Sequence, residues 1–87
     1  MTRKTKQTIA DGVETAIRQQ FDLDSDADIE VAYEHNQGDY ERVRARLPSV
    51  PIESGTRYEQ PVEEWTILFE VLESDPDDSY LLRVRID

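Results

Sequence analysis

Residues 65–87 read WTILFEVLESDPDDSYLLRVRID and hold the clearest structural pattern of the chain. From Trp65 to Val71 every second residue is apolar, which is the period of a half-buried β-strand. The segment Asp75-Pro76-Asp77-Asp78 has the composition of a type I turn, because proline presets the φ angle of the second turn position. We therefore predict a β-hairpin with this turn at its tip.

Pairing Ser74 with Ser79 sets the register of this hairpin. On one face the register matches apolar residues: Val71 with Leu82, Phe69 with Val84, and Ile67 with Ile86. On the other face it places Glu70 opposite Arg83, and Leu72 opposite Leu81. This register is favoured because cross-strand neighbours then agree in polarity or oppose in charge.

A second hairpin is predicted between residues 29 and 47. Its first strand alternates in polarity, and Asn36-Gln37-Gly38 suits a three-residue loop with Gly38 in the left-handed conformation. Pairing His35 with Asp39 gives the register Val31 to Val43, Ile29 to Ala45, Glu30 to Arg44, and Asp28 to Arg46. The alternative for residues 40–47 is a short helix that Asp39 caps and Pro48 ends.

An amphipathic helix is predicted from about Thr8 to Phe21. Apolar residues recur there every four positions: Ile9, Val13, Ile17 and Phe21. Gly12 lies inside this helix at a cost of about 1 kcal/mol relative to alanine, and it indicates close packing against another element. Residues 1–7 are basic and lack an apolar anchor, which favours a flexible arm.

The predicted fold class is α+β, with one helix packed on a four-stranded, mostly antiparallel sheet of two hairpins in the order α-β-β-β-β. Residues 8–87 then form one small domain. The stretch Pro48 to Pro61 contains three of the four prolines and is expected to be a long loop. The C-terminal strand is a candidate sheet edge, open to pairing with another strand.

The charge composition is strongly acidic. The 87 residues include 20 acidic and 10 basic side chains, for a net charge of −10, and eight of the basic residues are arginine. A dispersed acidic surface with few lysines resembles the proteins of halophilic archaea, where molar salt shortens the Debye length to about 3 Å and screens self-repulsion. No apolar run is long enough to cross a bilayer, so we expect a cytoplasmic protein without a membrane partner.

The residues for catalysis or cofactor binding are sparse. There is no cysteine, and the one histidine, His35, lies in a predicted turn. The acidic run from Asp22 imitates the start of an EF-hand loop, but Ala27 occupies the position that requires glycine and Tyr33 the one that requires glutamate. Nucleotide-binding and nucleophile motifs are lacking. We expect neither an enzyme nor a cofactor or metal site.

Two hypotheses concern the sheet face turned away from the helix. Its apolar residues are predicted to form a contiguous patch, which indicates a homodimer or protein-partner interface: Tyr40, Leu68, Leu72 and Leu81. The alternative is nucleic-acid binding by the basic arm and the arginines of the same face: Arg42, Arg44, Arg46, Arg83 and Arg85. Carboxylates opposite these arginines disfavour the alternative.

Overall fold

The computed structural model of the chain describes residues 5–48, 50 and 52–87. These residues form one helix and a five-stranded antiparallel sheet. The elements are α1 (Lys6–Gln20), β1 (Glu30–Gln37), β2 (Tyr40–Arg46), β3 (Arg57–Val62), β4 (Trp65–Ser74) and β5 (Ser79–Ile86). The α+β class with an N-terminal helix is confirmed, whereas the predicted number of four strands is wrong.

The additional strand, β3, lies inside the stretch that was expected to be a loop. It pairs only with β4 at the edge of the sheet, where Pro61 is tolerated because an edge strand leaves some N–H groups unpaired. The apolar–polar alternation of β3 was weak, because the polar residue Gln60 lies between Tyr58 and Val62 on the side that faces the core. The β3–β4 turn also lacks a glycine, although Glu63 has a φ of 55°.

The hairpin of β1 and β2 is present, so the helical alternative for residues 40–47 is wrong. Its register is shifted by two residues from the expected one, with Val31 paired to Ala45 and Tyr33 to Val43. The loop contains two residues, not three, and begins at Gly38, whose φ is 67°. Because side chains alternate with a period of two, this shift leaves the face of each residue before the bulge at Glu34 unchanged.

The hairpin of β4 and β5 has the predicted register as far as Val71, including the pair Glu70 and Arg83. Beyond that point a bulge at Leu72 shifts the register, so Leu81 pairs with Glu73 and the predicted Leu72–Leu81 pairing is wrong. The turn holds one residue more than expected, because Ser74 pairs with Tyr80 instead of Ser79. The extra residue of the turn on the β5 side is matched by the extra residue of the bulge on β4, so the register nearer the strand ends is unchanged.

The two hairpins are joined by antiparallel pairing of β2 with β5, which gives the strand order β1-β2-β5-β4-β3. The C-terminal strand β5 is therefore the centre of the sheet, and the expectation that it forms an edge is wrong. Both sides of β5 are paired from Tyr80 to Val84, so this stretch is not an edge open to strand addition.

We call the sheet face that α1 covers the inner face. The stripe of α1 is buried there together with alternate residues of the central strands: Ile9, Val13, Ile17, Val43, Phe69, Leu82 and Val84. A Cβ atom on Gly12 would lie 2.9 Å from Cδ1 of Ile67, which confirms the close packing expected of this glycine. None of the described residues forms a helix long and apolar enough to cross a membrane.

The connection between β2 and β3 also contributes to the inner side. Leu47, Val50 and Ile52 are buried in the same cluster as the helix residues. Tyr58 at the start of β3 stacks on Phe69 at 5.1 Å and meets Phe21 edge-on at 5.2 Å. The connection therefore extends the core instead of folding over the opposite face of the sheet.

The C-terminal end of α1 is a Schellman motif without glycine. The N–H of Leu23 donates to the carbonyl of Arg18 at 2.8 Å, and the N–H of Asp22 to that of Gln19 at 3.3 Å. This geometry requires Asp22 to adopt a φ of 53°, which is unfavourable for a residue with a side chain. Its negative charge also lies at the negative end of the helix dipole.

Replacing Asp22 with glycine is therefore expected to stabilise the domain by about 0.5–1 kcal/mol. Urea unfolding at constant salt measures the change. Asp24→Gly is the matched control, because it removes the same charge two residues away at a position without a positive φ, and it should not stabilise. Equal stabilisation by both variants would show that charge removal, not backbone strain, is responsible.

Candidate interaction face

We call the sheet face opposite α1 the outer face. In the described part of the chain, α1 and the β2–β3 connection both pack on the inner side, and nothing covers the outer face. Its residues alternate in sequence with the buried ones, which is why they point to solvent. Eight of the nine candidate residues of the two hypotheses lie on this face, as the alternation of side chains along each strand predicts. The ninth, Leu72, is the bulge residue of β4.

A row of charged residues crosses the outer face at right angles to the strands. Successive partners in the sheet form this row, one from each strand: His35, Arg42, Arg83, Glu70 and Arg57. Arginine stands directly opposite arginine at its centre, although like charges at such positions repel. Arg57 was not among the sequence candidates, because strand β3 was not predicted. The only sequence signal for this strand was the alternation of apolar Tyr58 and Val62 with polar residues.

The rows on either side of this charged row each combine leucine with opposite charges. On one side Leu81 of β5 lies between Arg44 of β2 and Glu73 of β4. On the other side Leu68 of β4 lies between Arg85 of β5 and Glu59 of β3. The Leu68 and Leu81 side chains are both half-buried. Apolar surface on this face is therefore interleaved with arginine and glutamate.

The four predicted interface residues are half-buried, but they do not form one contiguous patch. Leu68 and Leu81 are separated by the ion pair between Glu70 and Arg83, and Leu72 is the extra residue of the bulge. Tyr40 lies beside the charged row, with its ring centroid 4.6 Å from the guanidinium carbon of Arg83.

A shallow groove of about 380 Å³ runs along this part of the outer face. Tyr40 and Leu68 contribute apolar surface to its lining, and the arginines of three positions surround them: Arg57, Arg83 and Arg85. The carboxylates of Glu59 and Glu70 also line it. The groove thus presents apolar, cationic and anionic groups together, a mixture typical of the polar part of a protein interface.

Most arginines of the outer face have a carboxylate partner within the chain. Arg44 pairs with Glu34 at 3.0 Å and with Asp75 at 2.7 Å. The hydrogen bond to Glu34 is the largest influence that raises the pKa of the Arg44 guanidinium above its ordinary value. Further pairs join Arg83 and Arg57 to Glu70, Arg85 to Asp87, and Arg46 to Asp28.

Arg42 is the exception. Its Nε donates to Oε1 of Gln37 at 2.6 Å, whereas one terminal nitrogen is buried without an acceptor. Among the described residues it is the arginine without a carboxylate within 4.0 Å. The Arg42 side chain is half-buried beside Arg83, which carries a like charge, so a carboxylate supplied by another chain would be favourable here.

The five arginines of the nucleic-acid hypothesis all lie on the outer face. Four of them, however, already pair with carboxylates, and only Arg42 lacks a carboxylate partner among the described residues. His35 lies at the end of strand β1, next to Arg42, and is exposed. The acidic run from Asp22 to Asp28 does not converge, since no three metal-binding side chains of the described residues lie close together.

Tyr33 and Glu41 form a polar contact at the rim of the inner face. The Tyr33 hydroxyl donates to Oε2 of Glu41 at 2.6 Å, and this hydrogen bond is the largest of the influences that raise the pKa of Tyr33 to about 12. The folded state therefore keeps this phenol neutral at a pH where the unfolded chain ionises it.

Stability should consequently fall between about pH 10 and pH 12, because the contribution of Tyr33 is fully present below its unfolded pKa and is lost as pH rises toward the folded value. Absorbance of tyrosinate should show one of the four tyrosines titrating late. Tyr33→Phe should remove that late phase and flatten the loss of stability. An unchanged titration curve in this variant would contradict the assignment.

Comparison with protein-family models, curated proteins and solved structures finds no match to this chain. Its function is therefore inferred from the chemistry of the outer face.

Proposed function

We propose that this protein is a small non-enzymatic interaction module that self-associates through its outer face. The observation that supports this is the segregation of arginine. Six of the seven arginines in the described residues lie on the outer face, and Arg18 on α1 is the other. Arginine and tyrosine together in one surface, without lysine, match the composition of protein interfaces.

The size of the outer face is compatible with a stable interface. Its strands are six to ten residues long, and five strands spaced about 4.8 Å apart make a face of roughly 24 Å by 24 Å. The flat area of this face is roughly 600 Å², and the side chains that project from it increase the accessible surface further. A standard interface buries about 800 Å² per partner, so most of the outer face would take part.

Nucleic-acid binding is the second candidate, and the unpaired Arg42 is the observation in its favour. It is less favoured because the other arginines of the face are neutralised by carboxylates of the chain, and because the net charge of −10 repels phosphate at long range. Its distinguishing property is a steep fall in affinity as salt rises.

The acidic composition further supports a salt-rich cytoplasm as the setting of this module, as in halophilic archaea. Contacts in molar salt have to depend on apolar and closely fitted groups more than on long-range charge. Leucines interleaved with short-range ion pairs fit that requirement better than an exposed cationic surface does.

The experiment that tests self-association is sedimentation equilibrium of wild type and Leu81→Glu in molar KCl. We expect a reversible dimer for wild type and a monomer for the variant, because the substitution would bury a carboxylate within the interface. Thr15→Glu, on the exposed side of α1, is the matched control and should dimerise like wild type. A monomeric wild type, or dimerisation of Leu81→Glu at wild-type strength, would overturn the proposal. Copurification of nucleic acid with a monomer would favour the second candidate.

A further inference from the structure

The charges of the outer face are divided between strands. On its outer side β2 carries arginines at positions 42, 44 and 46, whereas β4 carries Glu70 and Glu73. The strand between them, β5, is the middle strand of the five. On this face β2 is therefore cationic and β4 anionic, on opposite sides of β5.

This division has a geometric consequence for two copies packed face to face. Sheets that pack with roughly aligned strands lie about 10 Å apart, and two identical copies are related by a two-fold axis between them. A two-fold axis perpendicular to the strands places β2 of one copy over β2 of the other, so arginines face arginines. An axis parallel to β5 places β2 of each copy over β4 of the other, so arginine meets glutamate twice.

The second arrangement also brings the apolar groups together. A rotation about an axis parallel to the strands does not change the position of a residue along the strand direction. Because Leu81 is on the central strand, it therefore lies over Leu81 of the second copy, at the axis. At the same level Arg44 lies over Glu73 of the second copy, but Glu34 and Asp75 of its own chain already bind it. Arg42 lies over Glu70, which Arg57 and Arg83 of its own chain already bind. At another level Tyr40 lies over Leu68. The arginines on the axis, 83 and 85, are each neutralised by a carboxylate of their own chain.

The ion pairs within one chain leave one arginine on β2 and one glutamate on β4 without an ionic partner. Arg42 on β2 has no carboxylate partner, and Glu73 on β4 has no cationic partner among the described residues. With the axis parallel to β5, these two side chains are on facing strands, displaced by two residues, or about 7 Å, along the strand. Both are long enough to span that offset. The Arg42 guanidinium, which has no carboxylate partner in the monomer, thus acquires one in the dimer.

We infer that the partner of the outer face is a second copy related by a two-fold axis parallel to β5, with Arg42 of each copy paired to Glu73 of the other. This inference rests on the proposed self-association and specifies its symmetry and its ion pairs. The axis makes the interface isologous, so assembly closes at the dimer.

The test is a mixing experiment with Arg42→Glu and Glu73→Arg. Each variant alone places like charges together twice per dimer, and its self-association should weaken about tenfold or more. An equimolar mixture restores opposite charges at both positions, so the mixed dimer should regain wild-type affinity. Both substitutions are at surface positions, and the first places a carboxylate beside Arg83, so neither should harm the fold. Affinity is measured by sedimentation at the lowest KCl concentration that preserves native circular dichroism.

The control is a mixture of Arg42→Glu with Glu59→Arg. Glu59 is also an outer-face carboxylate without an ion pair among the described residues, but it lies on β3 and does not face Arg42 under this axis. This mixture should stay weaker than the first. Equal recovery in both mixtures would overturn the two-fold arrangement. So would recovery in neither mixture, if wild type dimerises and Leu81→Glu does not. In both cases the outer face would remain the interface. A monomeric wild type would instead refute the proposed self-association.

Discussion

Replacing Phe69 with alanine is expected to cost about 3–5 kcal/mol of unfolding free energy. Phe69 is 1% exposed and lies at the centre of the core, stacked on Tyr58 at 5.1 Å. A domain of this length has a total stability of only about 4–13 kcal/mol, so the variant should lose a large share of its stability. Thermal and urea unfolding followed by circular dichroism measure the loss.

Phe69→Leu is the control for that substitution, because it keeps most of the apolar volume and removes the ring. It should cost less than half as much as the alanine variant. A loss of under about 1 kcal/mol for Phe69→Ala would contradict the core described above, since it would mean that the site collapses without a cavity.

The dependence of stability on salt is expected to be the second large effect. Ten uncompensated charges form about 45 like-charged pairs, each repelling by about 0.2 kcal/mol at about 20 Å in water. A Debye length of about 30 Å at about 10 mM salt leaves roughly half of this repulsion, whereas about 3 Å at about 1 M removes nearly all of it. Even after subtraction of repulsion in the unfolded chain, the melting temperature should rise by roughly 10 °C or more.

A variant of reduced charge is the matched control for the salt effect. Exposed carboxylates without an ion pair in the described residues can be replaced by amides: Asp24→Asn, Asp26→Asn, Glu53→Gln and Glu64→Gln. This variant should be more stable than wild type at low salt and gain less from added KCl. If both proteins gain equally, the gain reflects a general effect of salt on apolar burial, and the halophilic setting loses its support.

The parts of the fold that were predictable from sequence are those with strong periodic patterns. The α1 stripe and the alternation of β4 and β5 determine which residues are buried, and the pairs from Ile67–Ile86 to Val71–Leu82 were obtained by matching polarity. The bulges at Glu34 and Leu72 were not predictable in this way, because a bulge changes the pairing by one residue and leaves no mark in composition.

β3 escaped prediction for a different reason. An edge strand gains its stability from one neighbour and from a few contacts, here the stacking of Tyr58 on Phe69, so its own sequence need not alternate strongly. Pro61 and a turn at Glu63 without glycine argued against a strand and a hairpin at the same place. Placing β3 beside β4 required the tertiary structure.

The candidate residues of the outer face were predictable, but their neighbours were not. Alternation alone puts Tyr40, Leu68 and Leu81 on the side away from the helix. The pairing of β2 with β5 decides which arginine lies beside which glutamate, and it joins two hairpins that are far apart in the sequence. The isolation of Arg42 and the division of charge between β2 and β4 follow from that pairing, so both become visible only in the folded sheet.

Self-association through the outer face can be tested by diluting the isotopically labelled wild-type protein in molar KCl and recording nuclear magnetic resonance spectra. We expect the chemical shifts of Leu68, Leu81 and the Arg42 side chain to change with protein concentration, while those of Thr15 and Gln20 on the exposed side of α1 stay constant. Shifts that change on α1 instead, or spectra that do not change at any concentration, would contradict the assignment of the outer face as the interface.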